Sequence, residues 1–176
     1  MTPQRAALAT LVAMVALGVV WGSLSLLGLT AQPAPPAPTA PSMVPTREPR
    51  AEVEAARILA EWDQQRSSAW AHGDAAGLAS LYVDGSSAAV ADVRMLRRWQ
   101  RRGVHVRGLR TQVLRLEVLE RGRDRWVLDV TDRVIGGRAV QGARTQVLPT
   151  DAATRRRIDL RRRDGRWLVA EVSPLR

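Results

Sequence analysis

The chain has 176 residues, enough for one folded domain with an appendage and too few for two full domains. Cysteine is absent, which excludes disulfide frameworks, thiolate metal sites and cysteine nucleophiles. All 27 basic residues are arginine, set against 17 acids for a net charge of +10; Lys, Asn and Phe are missing too, the bias of a GC-rich, actinobacterial type of genome, so arginine in place of lysine carries little functional information.

Residues Ala6 to Thr30 run 25 positions without a charge. A helix of that length spans about 37 Å, sufficient to cross a bilayer. A cleaved signal peptide has a shorter apolar core and ends in a small-x-small site; here Leu29 stands two positions before Ala31, so an uncleaved transmembrane signal anchor fits better. Arg5 and the terminal amine precede the span, and no charge follows it until Arg47. The positive-inside rule therefore places residues 1–5 in the cytoplasm and the remainder outside the cell membrane. Residues 31–49 hold most of the prolines, from Pro33 to Pro49, and predict an extended polyproline-type linker with a reach of up to about 50 Å.

Residues 50–176 form the globular domain. Val53, Ala56, Leu59, Trp62 and Trp70 at helical spacing predict a long amphipathic helix over Ala51–Ala71, ending at His72-Gly73. Asp74 is placed to cap a short helix over Ala75–Tyr82, stopped at Asp84-Gly85. A third helix is expected to start between Ser87 and Asp92 and to end at Gly103, with Ala89, Val93, Leu96 and Trp99 or Gln100 on its apolar face. Beyond Gly103 the period becomes strand-like. Alternation predicts strands over Arg110–Glu120 and Arg125–Ile135, bounded by turn signals at Gly122 and Gly136-Gly137, and a third over Gln141–Leu148. Arg155–Arg163 and Arg166–Val172 flank Asp164-Gly165, a two-residue hairpin signal. That turn pairs Leu160 with Val169, and Arg162 with Trp167 as a cation–π contact, on one side of the sheet. Three helices followed by a run of strands predict an α+β domain with the helices packed on one face of a curved antiparallel sheet.

The stretch AWAHGDAAGLASLYVDGS from Ala69 to Ser86, the ending RDGRWLVAEV from Arg163 to Val172, and the order of the elements resemble the NTF2-like superfamily, its SnoaL-like branch included. The resemblance implies a cone in which the long first helix packs into the sheet and a final hairpin carries Gly165, Trp167 and Val169. With the anchor and the Pro-rich linker, the chain is similar to small actinobacterial membrane proteins that carry such a domain outside the cell, Mce-associated proteins among them. It departs from many members in having only Val83 to Ala88 where they place a strand or hairpin, which implies a shallower pocket. The cone hosts isomerases, hydrolases, dehydratases and domains without chemistry, so the resemblance fixes no activity.

Acid–base chemistry in such a cone needs a carboxylate or histidine that projects inward with a tuned pKa. Alternation along WVLDVTDRV puts Asp132 with Val130, Leu128 and Trp126, and Asp129 on the other side with Thr131 and Arg133, so Asp132 is the sharper inward acid. Glu171, on the side of Val169 and Trp167, is a second, and Tyr82 is a candidate donor to an enolate. Each also has a plainer role: an Asp paired with an Arg, a rim salt bridge, a helix-end aromatic. His72 and His105 are expected at the surface, and neither has a second ligand at metal spacing, so no metal and no cofactor is expected. No nucleophile elbow, phosphate loop or HExxH motif occurs.

Arg94, Arg97, Arg98, Arg101 and Arg102 crowd the third helix, and a second group of arginines, from Arg155 to Arg166, crowds the last hairpin. In a cytosolic protein nucleic acid would be the first partner to consider. Outside the membrane the available polyanions are lipid headgroups, phosphate-bearing wall polymers and acidic proteins. The sequence thus predicts a noncatalytic interaction or assembly module at the cell envelope. The alternatives are a SnoaL-like enzyme on a small hydrophobic substrate and a polyanion- or lipid-headgroup-binding domain.

Overall fold

In the computed structural model, which describes residues 49–175, helix α1 runs over Pro49–His72. The span expected at 6–30 and the linker up to residue 48 lie outside the described residues, among which no helix is long and apolar enough to cross a membrane. Proline suits the first turn of a helix because the N–H it lacks would be unpaired there in any case. The helix stops where Gly73 turns left-handed, at φ +69°. Its buried stripe is Ala51, Ala55, Ile58, Leu59, Ala69 and Trp70. This differs from the expected stripe, since Val53 is 71% exposed. Two residues on from Ala51, Val53 lies about 200° round the helix and faces away from the sheet.

Helix α2, Ala75–Ala79, begins at Asp74, whose carboxylate accepts the Gly77 N–H at 2.8 Å. A Cβ at Gly77 would lie 2.1 Å from Asp74 Oδ2, so a larger residue there would make the capping carboxylate shift. The helix ends short of the expected Tyr82 because Leu81 and Val83 turn to the sheet: the Val169 N–H donates to Leu81 O and the Val83 N–H to Val169 O. This single bridge at Tyr82 is all that stands between the second and third helices. Helix α3, Ser87–Gln100, is capped by Ser86 and buries Asp92, Leu96 and Trp99. Gly103, at φ +65°, then releases the chain into the sheet.

Five antiparallel strands follow: β1 (His105–Arg121), β2 (Arg125–Gln141), β3 (Arg144–Val147), β4 (Thr154–Arg163) and β5 (Arg166–Pro174). The order is β1-β2-β4-β5, with β3 on β2 as well. One half of β2, Arg125 to Asp132, pairs with β4, and its far end, Arg138 to Gln141, pairs with β3. Gly136-Gly137 does not end the strand as expected. Both glycines adopt positive φ, +66° and +90°, inside β2, and Gly108 does the same inside β1 at +70°. They bend the paired strands instead of stopping them, and the sheet curves there. Gly137 also leaves room for Leu148 and Leu109, whose methyl carbons would come within 3.2 and 3.4 Å of a Cβ.

The Asp164-Gly165 turn has φ of 50° and 77°, and it sets Arg162 opposite Trp167 and Leu160 opposite Val169, as expected. Beyond Leu160 the register slips, so that Asp159 faces Glu171 and Ala170 is the extra residue. The helices cover the sheet face that carries Leu128, Val130, Leu160 and Val169, which with Leu78 are the largest fully buried side chains. Trp167 is only partly buried. It meets Trp126 edge-on, ring centroids 5.7 Å apart. The cation over an indole at this end is Arg121 on Trp126, at 5.2 Å, in place of the expected Arg162 on Trp167.

Leu160→Ala is expected to cost about 3 kcal/mol by urea denaturation, within the usual range for a buried leucine. Trp167→Ala should cost less, about 2 kcal/mol, since the ring lies at the partly exposed hairpin end and packs against the edge of the core. The reverse order would mean that the hairpin end, and not the centre of the sheet, holds the core.

Candidate functional site

Arg66 falls on the inward side of α1 and Asp92 on that of α3, so two opposite charges meet where the helices join. Arg66 donates from Nε to Asp92 Oδ2 at 2.6 Å and from Nη2 to Oδ1 at 2.9 Å. Trp70 Nε1 donates to Oδ1 at 3.1 Å, and the Tyr82 hydroxyl to Oδ2 at 2.8 Å. Each carboxylate oxygen thus receives two donors. The guanidinium carbon lies 6.0 Å from the Trp62 ring centroid and 5.9 Å from that of Trp70. Trp62 meets Tyr82 edge-on and donates its own N–H to Leu81 O.

Burial works against ionisation of Asp92, but the Arg66 charge and the converging donors outweigh it and hold the carboxyl below the ordinary range. Burial likewise opposes the Arg66 charge, and Asp92 more than offsets it. Burial and the neighbouring Asp92 push the Tyr82 phenol well above its ordinary value, so it is a committed donor at neutral pH. Sequence reasoning named Tyr82 but missed Arg66 and Asp92. The signal was present: one arginine in the apolar stripe of α1 and one aspartate in that of α3.

Asp132 lies on the buried face of β2, with Arg156 Nη2 2.6 Å from its Oδ1. Apart from this ion pair, Asp132 Oδ1 and Arg156 Nε have no hydrogen-bond partner among the described residues. Burial raises the Asp132 carboxyl above its ordinary value, with Arg156 opposing. Asp129 faces the other side, where Arg155 grips both its oxygens. That hydrogen bonding holds its carboxyl below the ordinary range.

Glu171 is not inward. The extra residue at Ala170 flips it to the side opposite Val169, where it is exposed and accepts from Ser87 Oγ at 2.8 Å. His72 and His105 are both exposed. The described residues contain no group of three His, Asp or Glu side chains able to hold a metal ion.

Two basic surfaces remain. Arg94, Arg97, Arg98, Arg101 and Arg102 are all exposed on α3 or in the turn after it, at the i, i+3, i+4, i+7 and i+8 spacing of one helical stripe. At the other end of the sheet, between the N-terminal half of α1 and the β1–β2 and β4–β5 turns, lies a groove of about 660 Å³. Trp62, Trp126 and Trp167 line it together with Arg123, Arg162 and Arg166; Tyr82, Asp132 and Glu171 do not.

A long first helix laid in the hollow of a curved antiparallel sheet, two shorter helices and a closing hairpin are the features implied by the resemblance described above. The fold is NTF2-like. No family model matches the chain, and no curated protein does. Among solved structures, the intermembrane-space region of the chloroplast protein ARC6 is similar at 15% identity and TM-score 0.49, over 70% of this chain and 95% of that one. Aln2 from a Streptomyces species is similar at 18% and 0.45, over 72% and 92%. An NTF2-like protein of unknown function from Pseudomonas putida is similar at 15% and 0.39, over 72% and 86%. At these identities the likeness says nothing about activity.

The two buried aspartates should give opposite pH slopes. Asp92, lowered on folding, contributes stability that is complete above the ordinary carboxylate value, about pH 4, and is lost as pH falls through its folded value. Asp132, raised on folding, contributes below about pH 4 and loses that contribution as pH rises through its folded value. Asp92→Asn is expected to lose about 3–5 kcal/mol at pH 7, the cost of stranding a buried charge, and to flatten the acid limb. Tyr82→Phe should lose about 1.5–3 kcal/mol, for one hydrogen bond to a charged group. Urea unfolding from pH 3 to pH 8 reads both slopes; an unchanged acid limb in Asp92→Asn would remove Asp92 as its source.

Proposed function

We propose that the chain is a membrane-tethered, noncatalytic interaction module, an NTF2-like domain held outside the cell by an N-terminal signal anchor and a Pro-rich linker. The observation that carries the noncatalytic part is the saturation of Asp92. Arg66, Trp70 and Tyr82 spend their donors on that carboxylate, so neither Tyr82 nor Asp92 is left to act on a substrate. Glu171 is exposed on the edge strand and bonded to Ser87, the first residue of α3. The tether is supported by the uncharged run from Ala6 to Thr30 and by the charge difference across it.

On this reading the α3 stripe, Arg94, Arg97, Arg98, Arg101 and Arg102, engages an acidic envelope protein or an anionic polymer. Five like charges on consecutive turns repel one another, and an anionic partner relieves that repulsion. The second reading, a SnoaL-like enzyme with Asp132 as acid or base, is favoured by one observation, the burial of Asp132 with its incompletely bonded Oδ1.

Complementation of a deletion strain separates the two. Reversal of Arg97, Arg98, Arg101 and Arg102 to Glu is expected to abolish function, while Asp132→Asn leaves it largely intact. Full complementation by the Arg reversals together with failure of Asp132→Asn would replace the module by the enzyme. The topology is tested by a reporter active only outside the cytoplasm, fused after Arg176; an inactive reporter on an expressed fusion would place the domain inside.

A further inference from the structure

The groove at the hairpin end has a one-sided chemistry. Its two carboxylates are already taken, Glu61 by Arg57 and Glu54 by Arg121, each at 2.9 Å. Arg123, Arg162 and Arg166 have no carboxylate partner among the described residues; Arg166 touches only Gln65 Oε1, at 3.2 Å, which holds it against α1. The wall that carries these arginines is stiff, because the Arg162 N–H donates to Asp124 O at 2.9 Å and so ties the β4–β5 turn to the β1–β2 turn. The Trp62 and Trp126 indole N–H groups are spent on Leu81 O and Gly122 O, and that of Trp167 has no acceptor among the described residues. The groove therefore carries an excess of cationic donors, five arginines against Glu54 and Glu61. A ligand that fits it carries several acceptor oxygens and a net negative charge, which is the chemistry of the phosphodiester of an anionic headgroup.

The position of the groove says where such a ligand is met. It is lined by α1 from Glu54 onward, within the second turn of that helix, so the chain enters the domain at this end. The residues before α1 are the Pro-rich linker and the uncharged run from Ala6 to Thr30. Arginine and tryptophan are also the side chains suited to a membrane–water interface.

We propose that this groove binds the phosphodiester headgroup of an anionic phospholipid in the membrane from which the chain is held. The proposal rests on the tether put forward above and concerns a surface separate from the α3 stripe. Arg123, Arg162 and Arg166 take the phosphate oxygens, and the Trp167 indole meets the glycerol–acyl boundary. Tethering keeps the local headgroup concentration high, so a weak site is sufficient to orient the domain and turn the α3 stripe, at the opposite end of the sheet, away from the membrane.

The test uses the full chain in nonionic detergent, titrated with short-chain phosphatidylglycerol and, separately, with short-chain phosphatidylcholine, following tryptophan fluorescence. Saturable binding of phosphatidylglycerol is expected, weakening with salt, with little response to phosphatidylcholine. The triple variant Arg123→Gln, Arg162→Gln, Arg166→Gln should bind roughly 30- to 100-fold more weakly. Arg107→Gln, Arg138→Gln, Arg144→Gln removes the same charge at the far end of the sheet and should bind as the parent does. Equal loss in the two variants, or an equal response to the two lipids, overturns the site. Competition by inorganic phosphate as strong as binding by the lipid overturns the membrane as its source. Carbonate extraction of cell membranes reports separately on the tether. A chain that resists extraction but fails the titration loses the groove and keeps the anchor, and one that titrates but is extracted keeps the headgroup site and loses the anchor.

Discussion

The Arg66–Asp92 pair is the constraint on which the helical layer depends. Moving two charges out of water is costly, and the attraction between them offsets that cost only with good geometry and with every remaining lone pair occupied. Both conditions are met, since the carboxylate takes two donors on each oxygen and the guanidinium sits beside two indole rings. The pair fixes more than the distance between α1 and α3. Because Tyr82 and Trp70 must also reach Asp92, it sets the rotation of α1 and the path of the chain after α2, where one bridge to Val169 replaces a longer connection. Apolar faces slide against one another at little cost, whereas this arrangement admits one register.

The two faces of the sheet deal with charge differently. On the helix side, charges occur as a few enclosed contacts: Arg66 with Asp92, Asp63 with Thr111, and Arg156 near Asp132. On the far side, Arg155 pairs with Asp129, and Arg125 and Arg161 share Asp159, a lattice laid over strands that would otherwise present bare backbone and valine to water. Part of the arginine in this chain is thus consumed in covering its own sheet. Net charge alone is a poor guide to partners here; what carries information is that Arg123, Arg162 and Arg166, around the hairpin groove, have no carboxylate partner among the described residues.

Local chemistry made much of the fold legible from the sequence. Asp74 as a cap, Gly103 as a stop and Asp164-Gly165 as a hairpin turn each depend on a few adjacent residues, and each stands as expected. Expectations that needed non-local information fared worse. Strict alternation put Glu171 with Val169, and one extra residue in β5 reversed it; nothing in RWLVAEV announces a bulge. Gly136-Gly137 has the composition of a turn, but β1 and β3 hold it in a bent strand, so pairing decided what composition left open. The α1 stripe runs through the small Ala51 and Ala55 and not through Val53, because close approach to the sheet favours alanine. The burial of Asp92 is non-local in the same way, since what places it inside is an opposite charge, Arg66, on another helix.

Strand β2 pairs with three of the other four strands: β1 along most of its length, β4 on one half and β3 at its far end. Such a strand is a hub. If β5 detached, a four-stranded sheet would remain, but loss of β2 would leave β1, β3 and the β4–β5 hairpin with no strand in common. Cooperative unfolding is therefore built into the connectivity, because partial opening can proceed from the β1 and β5 edges only until it reaches β2. Amide hydrogens from Trp126 to Asp132, the stretch of β2 paired on both sides, are expected in the slowest-exchanging class, whose release requires the whole domain to open.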